Sequence, residues 1–425
     1  MTIKTSESFT RQEKNTAPRA KTTPSRLARM AEAISTRLSL LQFIFEQGLS
    51  SLRDMMHLEA EHLAGPKGKH QRERTHNHWG YAPAEMPLGG RKVTIARPRV
   101  RTKGGREETL PCVAAFQNED ALPAHVQEQI LAGVSMRSYE RSLDEPVENY
   151  SSRGSSKSSA SRHLVQRTTE KMREYLSRPL GGFDFVALMI DALHFSDTAV
   201  VVCLGISMNG EKTPLGIWGG STENAEVCNS LLNDLLERGL RVDGSILCVI
   251  DGGRGIRKSL QSVFGDRAII QRCQLHKRRN VKDHLPKAKQ IYVDKQLAAA
   301  YRAKDYNEAK RKLDDLHAWL CDNGEQEAAR SLKEGQDETL TLLRLGMTGM
   351  LGRSLVTTNA IENLMGTIRR ITRNVKRWRD GDMVHRWVAM AIEEAETKFR
   401  KIKGYRQLGQ LKSALTKLDR NRKAA

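Results

Sequence analysis

"FDFVALMIDALHF", residues 183–195, decides the fold class of this chain. The run is apolar at most positions and carries two acids, Asp184 at its start and Asp191 toward its end. An amphipathic helix would space its apolar residues by three or four, and a strand with one wet face would alternate. A short continuous apolar run is expected of a strand buried on both faces. Working outward, "TAVVVCLGIS" (198–207) and "TPLGIWGGS" (213–221) read as two further strands, antiparallel neighbours. "TENAEVCNSLLNDLLERGL" (222–240) is an amphipathic helix. "GSILCVIDGGRGI" (244–256) is a second buried strand, ending at Asp251 and leading into a short helix. "RAIIQRCQLHKRRNV" (267–281) supplies a fifth strand running into Cys273 and His276. The order β-β-β-α-β-α-β predicts a mixed α/β sheet with helices packed on it.

On either side of this block the texture changes. Residues 1–25 are rich in Lys, Arg, Thr, Ser and Pro and read as a disordered basic tail. Residues 26–64 have helical apolar spacing and end at Gly65-Pro66. After the Gly89-Gly90 turn, Val93 and Ile95 alternate as a strand should, completing a helical and small β region over 26–120. The outer residues Arg91, Arg97, Arg99 and Arg101 fit a DNA backbone and a solvated strand face equally well. Residues 121–180 give two helical patterns, the second led by serines and carrying Arg162, His163, Gln166 and Arg167 near its front. Two such helices in a basic chain predict a helix-turn-helix-like DNA-binding domain, although "DEPVENYSSRGSS" is longer than a tight turn and an ordinary helical pair is the alternative. The first part of the core spans 181–281, a charged helical insertion spans 282–350, and 351–425 completes the core. This last part reads as a long helix, a Gly404-Tyr405 break and a second short helix.

The 425 residues leave room for roughly two to four domains. A formal charge of +20 and a pI of about 9.8 favour a polyanionic partner, with nucleic acid ahead of an anionic membrane. No apolar run approaches the ~18 residues of a membrane span and no basic-then-apolar leader opens the chain, so a soluble cytoplasmic protein is expected. The six cysteines lack paired spacing, and Cys203, Cys248 and Cys273 read as small buried residues rather than disulfide partners.

Asp191 and Asp251 each sit at the C-terminal end of a buried strand, the edge where open α/β sheets collect ligands. On adjacent strands their carboxylates would repel unless a cation sat between them, and hard oxygen ligands suit Mg²⁺, with Mn²⁺ as substitute. A turn or cap role is the plainer reading of either one. A third acid, Glu362, opens "TTNAIENLMGTIRRITRNVKRW" (357–378), where Ile361, Leu364, Ile368, Ile371 and Val375 recur near helical spacing. Asn359 with Glu362 approximates a capping box, so capping competes with metal binding there. With three carboxylates, two metals ~3.5–4 Å apart could activate an attacking oxygen and stabilise a leaving one on phosphorus. Cys273-x-x-His276 has two zinc-type residues but no second pair, so no zinc is expected. Trp319 reads as core more readily than as a base-stacking platform. "GPKGKH" (65–70) and "GGRG" (252–255) lack the spacing of phosphate-binding and dinucleotide motifs.

Taken together, "ALMIDALHF", "CVIDGGRGI", "QRCQLHKRRNV" and "TTNAIENLMGTIRRITR" resemble the Mutator-type bacterial insertion-sequence transposases, over roughly residues 85–415. The resemblance implies an Asp-Asp-Glu triad of Asp191, Asp251 and Glu362 on a ribonuclease H-like core interrupted by helices. It implies DNA contacts by His276 near the scissile phosphate and by Arg369 on the transferred strand, with Cys273 a packing residue. Helical geometry puts Glu362, Arg369 and Lys376 on one broad polar face, and Arg370 and Arg373 add charge beside it. The expected activity is end cleavage and strand transfer on double-stranded DNA, the element's terminal inverted repeats and its target. Two ends handled together imply at least a dimer. A non-catalytic DNA-binding regulator and another ribonuclease H-like nuclease are the alternatives.

Overall fold

A computed structural model describes residues 26–69, 74–88, 91–118, 121–134, 152–154, 157–222 and 224–424. The tail 1–25, the Gly89-Gly90 turn and most of the connection before residue 157 lie outside them. The chain divides into two compact units.

In the first unit α1 (Arg26–Ala64) is followed by β1 (His76–Leu88), β2 (Arg91–Thr102), β3 (Glu107–Glu108) and α2 (Pro111–Asn118). The strands pair in chain order and β4 (Ser152–Gly154) adds to β2. Leu49, Leu52, Met56 and Ala60 recur at helical spacing on α1 and are buried, as are Val93 and Ile95 on β2. The Glu59 carboxylate accepts the Cys112 N–H at 3.0 Å, satisfying one of the free donors at the start of α2. Three of the β2 arginines turn inward on one acid. Arg99 grips Glu107 with two nitrogens, Arg97 bonds it at 2.9 Å and Arg101 lies 3.8 Å away, its guanidinium 4.6 Å over the Trp79 ring. Hydrogen bonding from Arg99, then Arg97, pulls the Glu107 carboxyl down to about 2.

The second unit holds the predicted five-stranded sheet. Its strands are β5 (Phe185–Phe195), β6 (Thr198–Ser207), β7 (Lys212–Gly220), β8 (Ile246–Ile250) and β9 (Ala268–Arg272), in the order β7-β6-β5-β8-β9. β6 is antiparallel to both neighbours, whereas β5, β8 and β9 run parallel. The parallel connections are α5 (Ala225–Glu237) and α6 (Arg254–Phe264). The opening run is apolar throughout because both faces of the sheet are covered. Leu188 and Ile190 join the cluster under α5 and α6. Ala187 and Met189 join the opposite cluster, made by α4 (Lys157–Ser177), α14 (Asn359–Thr372), α15 (Gly381–Glu396) and α16 (Leu408–Ala424). β5 does not stop at Asp191 as the sequence implied. Its pairing with β8 ends at Ile190, but its hairpin with β6 continues to Phe195, turning at Ser196 with φ 51°.

The two predicted helices of 121–180 are α3 (Ala121–Leu131) and α4. They pack on each other, and α4 also lies against α15 and β7, burying Ala160, Leu164 and Tyr175. The insertion is helical as expected: α7 (Gln274–Asp283), α8 (Lys287–Tyr301), α9 (Tyr306–Asp322), α10 (Gln326–Lys333) and the short α11 (Gln336–Thr339), α12 (Thr341–Arg344) and α13 (Met350–Leu355). It has its own apolar core around Val293, Leu297, Leu313 and Leu320. Trp319 is half-buried in it, its ring 4.6 Å from that of Tyr292. Buried polar side chains fasten this block to β9. Gln271 donates to Thr339 O and accepts the Leu342 N–H, and Thr341 donates to Ile270 O at 2.7 Å. The second closing helix, α16, is longer than expected, and Asp419 on it accepts the Ser245 N–H and hydroxyl.

Candidate active site

The two-residue period of a strand puts Ala187, Met189 and Asp191 on one face of β5, and Leu247 and Val249 on the same face of β8, with Asp251 next in phase. Ile190 stands opposite Ile250 in the parallel register, so the two aspartates leave the sheet side by side, ~4.8 Å apart strand to strand. That face is the one α14 covers. Ile361, Leu364, Met365, Ile368 and Ile371 bury one stripe of α14 against the sheet. Glu362, next to the first of these, is half-exposed in the first turn. Asp191 lies near enough to Asp251, to Glu362 and to His276, from the first turn of α7, to feel the charge of each.

Each acid is held by a short local bond. Asp191 Oδ1 accepts the Ala192 N–H and Asp251 Oδ1 the Gly253 N–H, both at 2.8 Å. Asp251 thus makes the turn bond that the plainer reading proposed for it while facing the cluster. Gly252 allows this turn with φ 114°; a Cβ there would lie 2.2 Å from Arg272 Nε. The capping-box reading of Glu362 fails. α14 begins at Asn359, which leaves Thr358 as its cap and Glu362 one position too far along, and no side chain caps the helix. Instead the Thr358 hydroxyl donates to Glu362 Oε1 at 2.6 Å. The same hydroxyl oxygen lies 3.4 Å from both Cys273 Sγ and His276 Nδ1.

Burial is the main cause of a raised Asp191 carboxyl, at about 6; the Ala192 N–H and His276 oppose the rise, and the negative charges of Asp251 and Glu362 add to it. A bound cation would relieve the repulsion that Asp191 feels. At Cys273 burial works against ionisation, but hydrogen bonds with His276 and Thr358 outweigh it and lower the thiol. The hydrogen bond with Cys273 raises His276 in turn, against burial. His276 Nδ1 is 3.9 Å from Glu362 Oε1.

Arg369 and Arg370 project from the exposed side of α14. Arg373 and Lys376 are exposed too, but Lys376 does not share a helical face with Glu362 as expected. α14 ends at Thr372, after which the chain leaves the helical path so that Trp378 meets Phe195 at 5.0 Å and Trp387 at 6.5 Å. Arg162 on α4 is exposed, and Arg167 is half-buried with Glu170 3.9 Å away.

Sequence reasoning missed three residues here. Thr358 carried no signal beyond preceding the helix. Arg272 and Lys277 gave no signal in the sequence either, yet they are buried, reaching from β9 and α7 to the end of α10. Arg272 donates to Glu334 O and Gly252 O. Lys277 donates to Ser331 O at 2.6 Å and Glu334 O at 2.5 Å, with burial, then Arg272, lowering its amine to about 8. None of the six cysteines is in a disulfide. Among the described residues no helix is long and apolar enough to cross a membrane.

A mixed five-stranded sheet covered by helices on both faces defines an α/β protein. The model of the Mutator family of transposases matches residues 35–402, and the chain belongs to that family. It is 24% identical over 343 residues to the transposase for insertion sequence element IS256 in transposon Tn4001 of Staphylococcus aureus, covering 78% of this chain and 83% of that protein. It is 27% identical over 347 residues to the transposase for insertion sequence element ISRM5 of Rhizobium meliloti (strain 1021), covering 79% and 83%. With the transposase for insertion sequence element IS6120 of Mycolicibacterium smegmatis it shares 28% identity over 221 residues, covering 50% and 66%.

Proposed function

We propose that this transposase cleaves the ends of its insertion sequence and joins them to target DNA at Asp191, Asp251 and Glu362. The observation that carries this reading is that Asp191 and Asp251 stand side by side at adjacent parallel strands on the sheet face covered by α14, where Asp191 feels the charge of Glu362. The strand order β7-β6-β5-β8-β9, with β6 alone running against the other four strands, supports a ribonuclease H-like core.

The donors fit Mg²⁺ or Mn²⁺: three oxygen-only side chains, one of them made reluctant to ionise by burial and, secondarily, by the charges of the others. Two such ions would activate the attacking oxygen and stabilise the leaving one in each displacement on phosphorus. Around them the protein's own groups orient. The Ala192 and Gly253 N–H groups fix the two aspartates, and Thr358 fixes Glu362. His276 stands beside Glu362, placed to contact the backbone near the scissile phosphate. Arg369, Arg370, Arg373 and Lys376 supply charge for the flanking DNA, and the exposed face of α4 with Arg162 and Arg167 serves as a reader of the terminal repeats. Handling both ends at once calls for at least two copies of the chain.

The test places the gene with its native flanking DNA on a plasmid and amplifies across the junction of an excised or circularised element. Glu362→Gln keeps size and removes the charge. Wild type should give junction product, and the variant should fall by about 10³-fold or more, roughly 4 kcal/mol of lost transition-state stabilisation. Equal product from both would remove Glu362 from catalysis. Product from neither, with DNA binding retained, would favour a non-catalytic regulator.

A further inference from the structure

The sequence offers two zinc-type ligands, Cys273 and His276, with nothing spaced to complete them. The fold supplies the third. Cys273 Sγ, a His276 ring nitrogen and a Glu362 carboxylate oxygen all lie within 4.8 Å of one another, with Nδ1 to Oε1 at 3.9 Å. Zinc bonds of about 2.0–2.3 Å in a tetrahedron put ligand atoms roughly 3.4–3.6 Å apart, so small side-chain rotations would close this set on one ion. The Thr358 hydroxyl already sits among the three ligands, 3.4 Å from Sγ and Nδ1 and 2.6 Å from Oε1. The Cys273 side chain is buried, while His276 and Glu362 are partly open, leaving a fourth position for water. One sulfur, one nitrogen and one oxygen suit zinc and suit Mg²⁺ poorly.

We propose that Cys273, His276 and Glu362 form a second metal site, selective for a thiophilic ion such as Zn²⁺, which shares Glu362 with the carboxylate triad. Binding replaces the thiol proton, released to solvent, with a sulfur–metal bond. Because the ion draws on the carboxylate that the triad needs, filling this site withdraws Glu362 from Asp191 and Asp251. The same chain is then held inactive by a zinc ion and released by its removal. The inhibitory consequence rests on the function proposed above; the binding site does not.

The test uses the full-length metal-free protein and Co²⁺ as a spectroscopic probe for Zn²⁺. Wild type should show a sulfur-to-cobalt charge-transfer band with the visible bands of a tetrahedral ion, displaced by Zn²⁺ and not by Mg²⁺. Cys273→Ser should abolish the charge-transfer band, and His276→Ala should weaken zinc binding about tenfold or more. The Asp191→Asn/Asp251→Asn double variant should retain the full spectrum, which separates this site from the triad. Cys321→Ser should retain it too, excluding the Cys321–His317 pair of the insertion, whose Sγ and Nδ1 lie 4.0 Å apart. Absence of the band in wild type, or its persistence in Cys273→Ser, would overturn the proposal whatever the outcome of transposition assays.

Discussion

At the scale of single residues, the site depends on a threonine. Without the Thr358 hydroxyl, Glu362 would rotate in the open first turn of α14. Thr358→Val keeps the shape and removes the donor. We expect Mn²⁺ affinity and end cleavage to fall about 10–100-fold, the usual effect of losing a partner that orients a ligand, with the thermal midpoint almost unchanged. Calorimetry on the metal-free protein, beside a cleavage assay, checks this. Asp191 gives a second expectation, with a definite sign. Its carboxyl is raised to about 6 in the metal-free protein, and a metal must displace the proton. Mn²⁺ affinity should be level above pH 6 and fall by up to about tenfold per unit below it. Asp191→Asn should flatten that dependence. An inflection near pH 4 in wild type would mean that burial does not govern this carboxyl.

At the scale of elements, the link between β8 and α6 is the tightest place in the site. Gly252 has both a positive φ and an arginine where a side chain would go. Gly252→Ala should cost roughly 1–3 kcal/mol for the backbone alone, and more because the Arg272 bonds to Gly252 and Glu334 must be remade. Thermal unfolding should show the loss, and Mn²⁺ binding should weaken with it because Asp251 is the preceding residue. The elements themselves were readable in the sequence, and the reason is local. Ala187 to Ile190 is apolar at every position because alternate residues enter different clusters. Ile361, Leu364, Ile368 and Ile371 keep one helical stripe. The readings that failed depended on how elements pair and pack with one another. β5 overruns Asp191 because β6 pairs with it, α14 stops at Thr372 because Trp378 packs elsewhere, and Arg97 and Arg99 serve Glu107 across a strand pair. The carboxylates were legible from their positions at element ends, whereas Thr358 acquires its role only where α7 and α14 meet.

At the scale of the whole molecule, the +20 charge governs affinity for a polyanion more than any single contact does. Binding to non-specific duplex DNA should weaken linearly on a log–log plot against salt, with a slope of about −0.9 per phosphate contacted. Arg369→Glu with Arg370→Glu should reduce that slope by about 2 if both side chains neutralise phosphates. An unchanged slope would assign the charge on α14 to something other than DNA. The last feature concerns time rather than force. Asp191 and Asp251 precede the insertion, Glu362 follows it, and α16 is fastened to Ser245 through Asp419 and Arg422. During synthesis the amino-terminal parts leave the ribosome first. The proposed cutting site is then among the last things a nascent chain completes, and a copy interrupted within the insertion would carry its amino-terminal helices and both aspartates without Glu362.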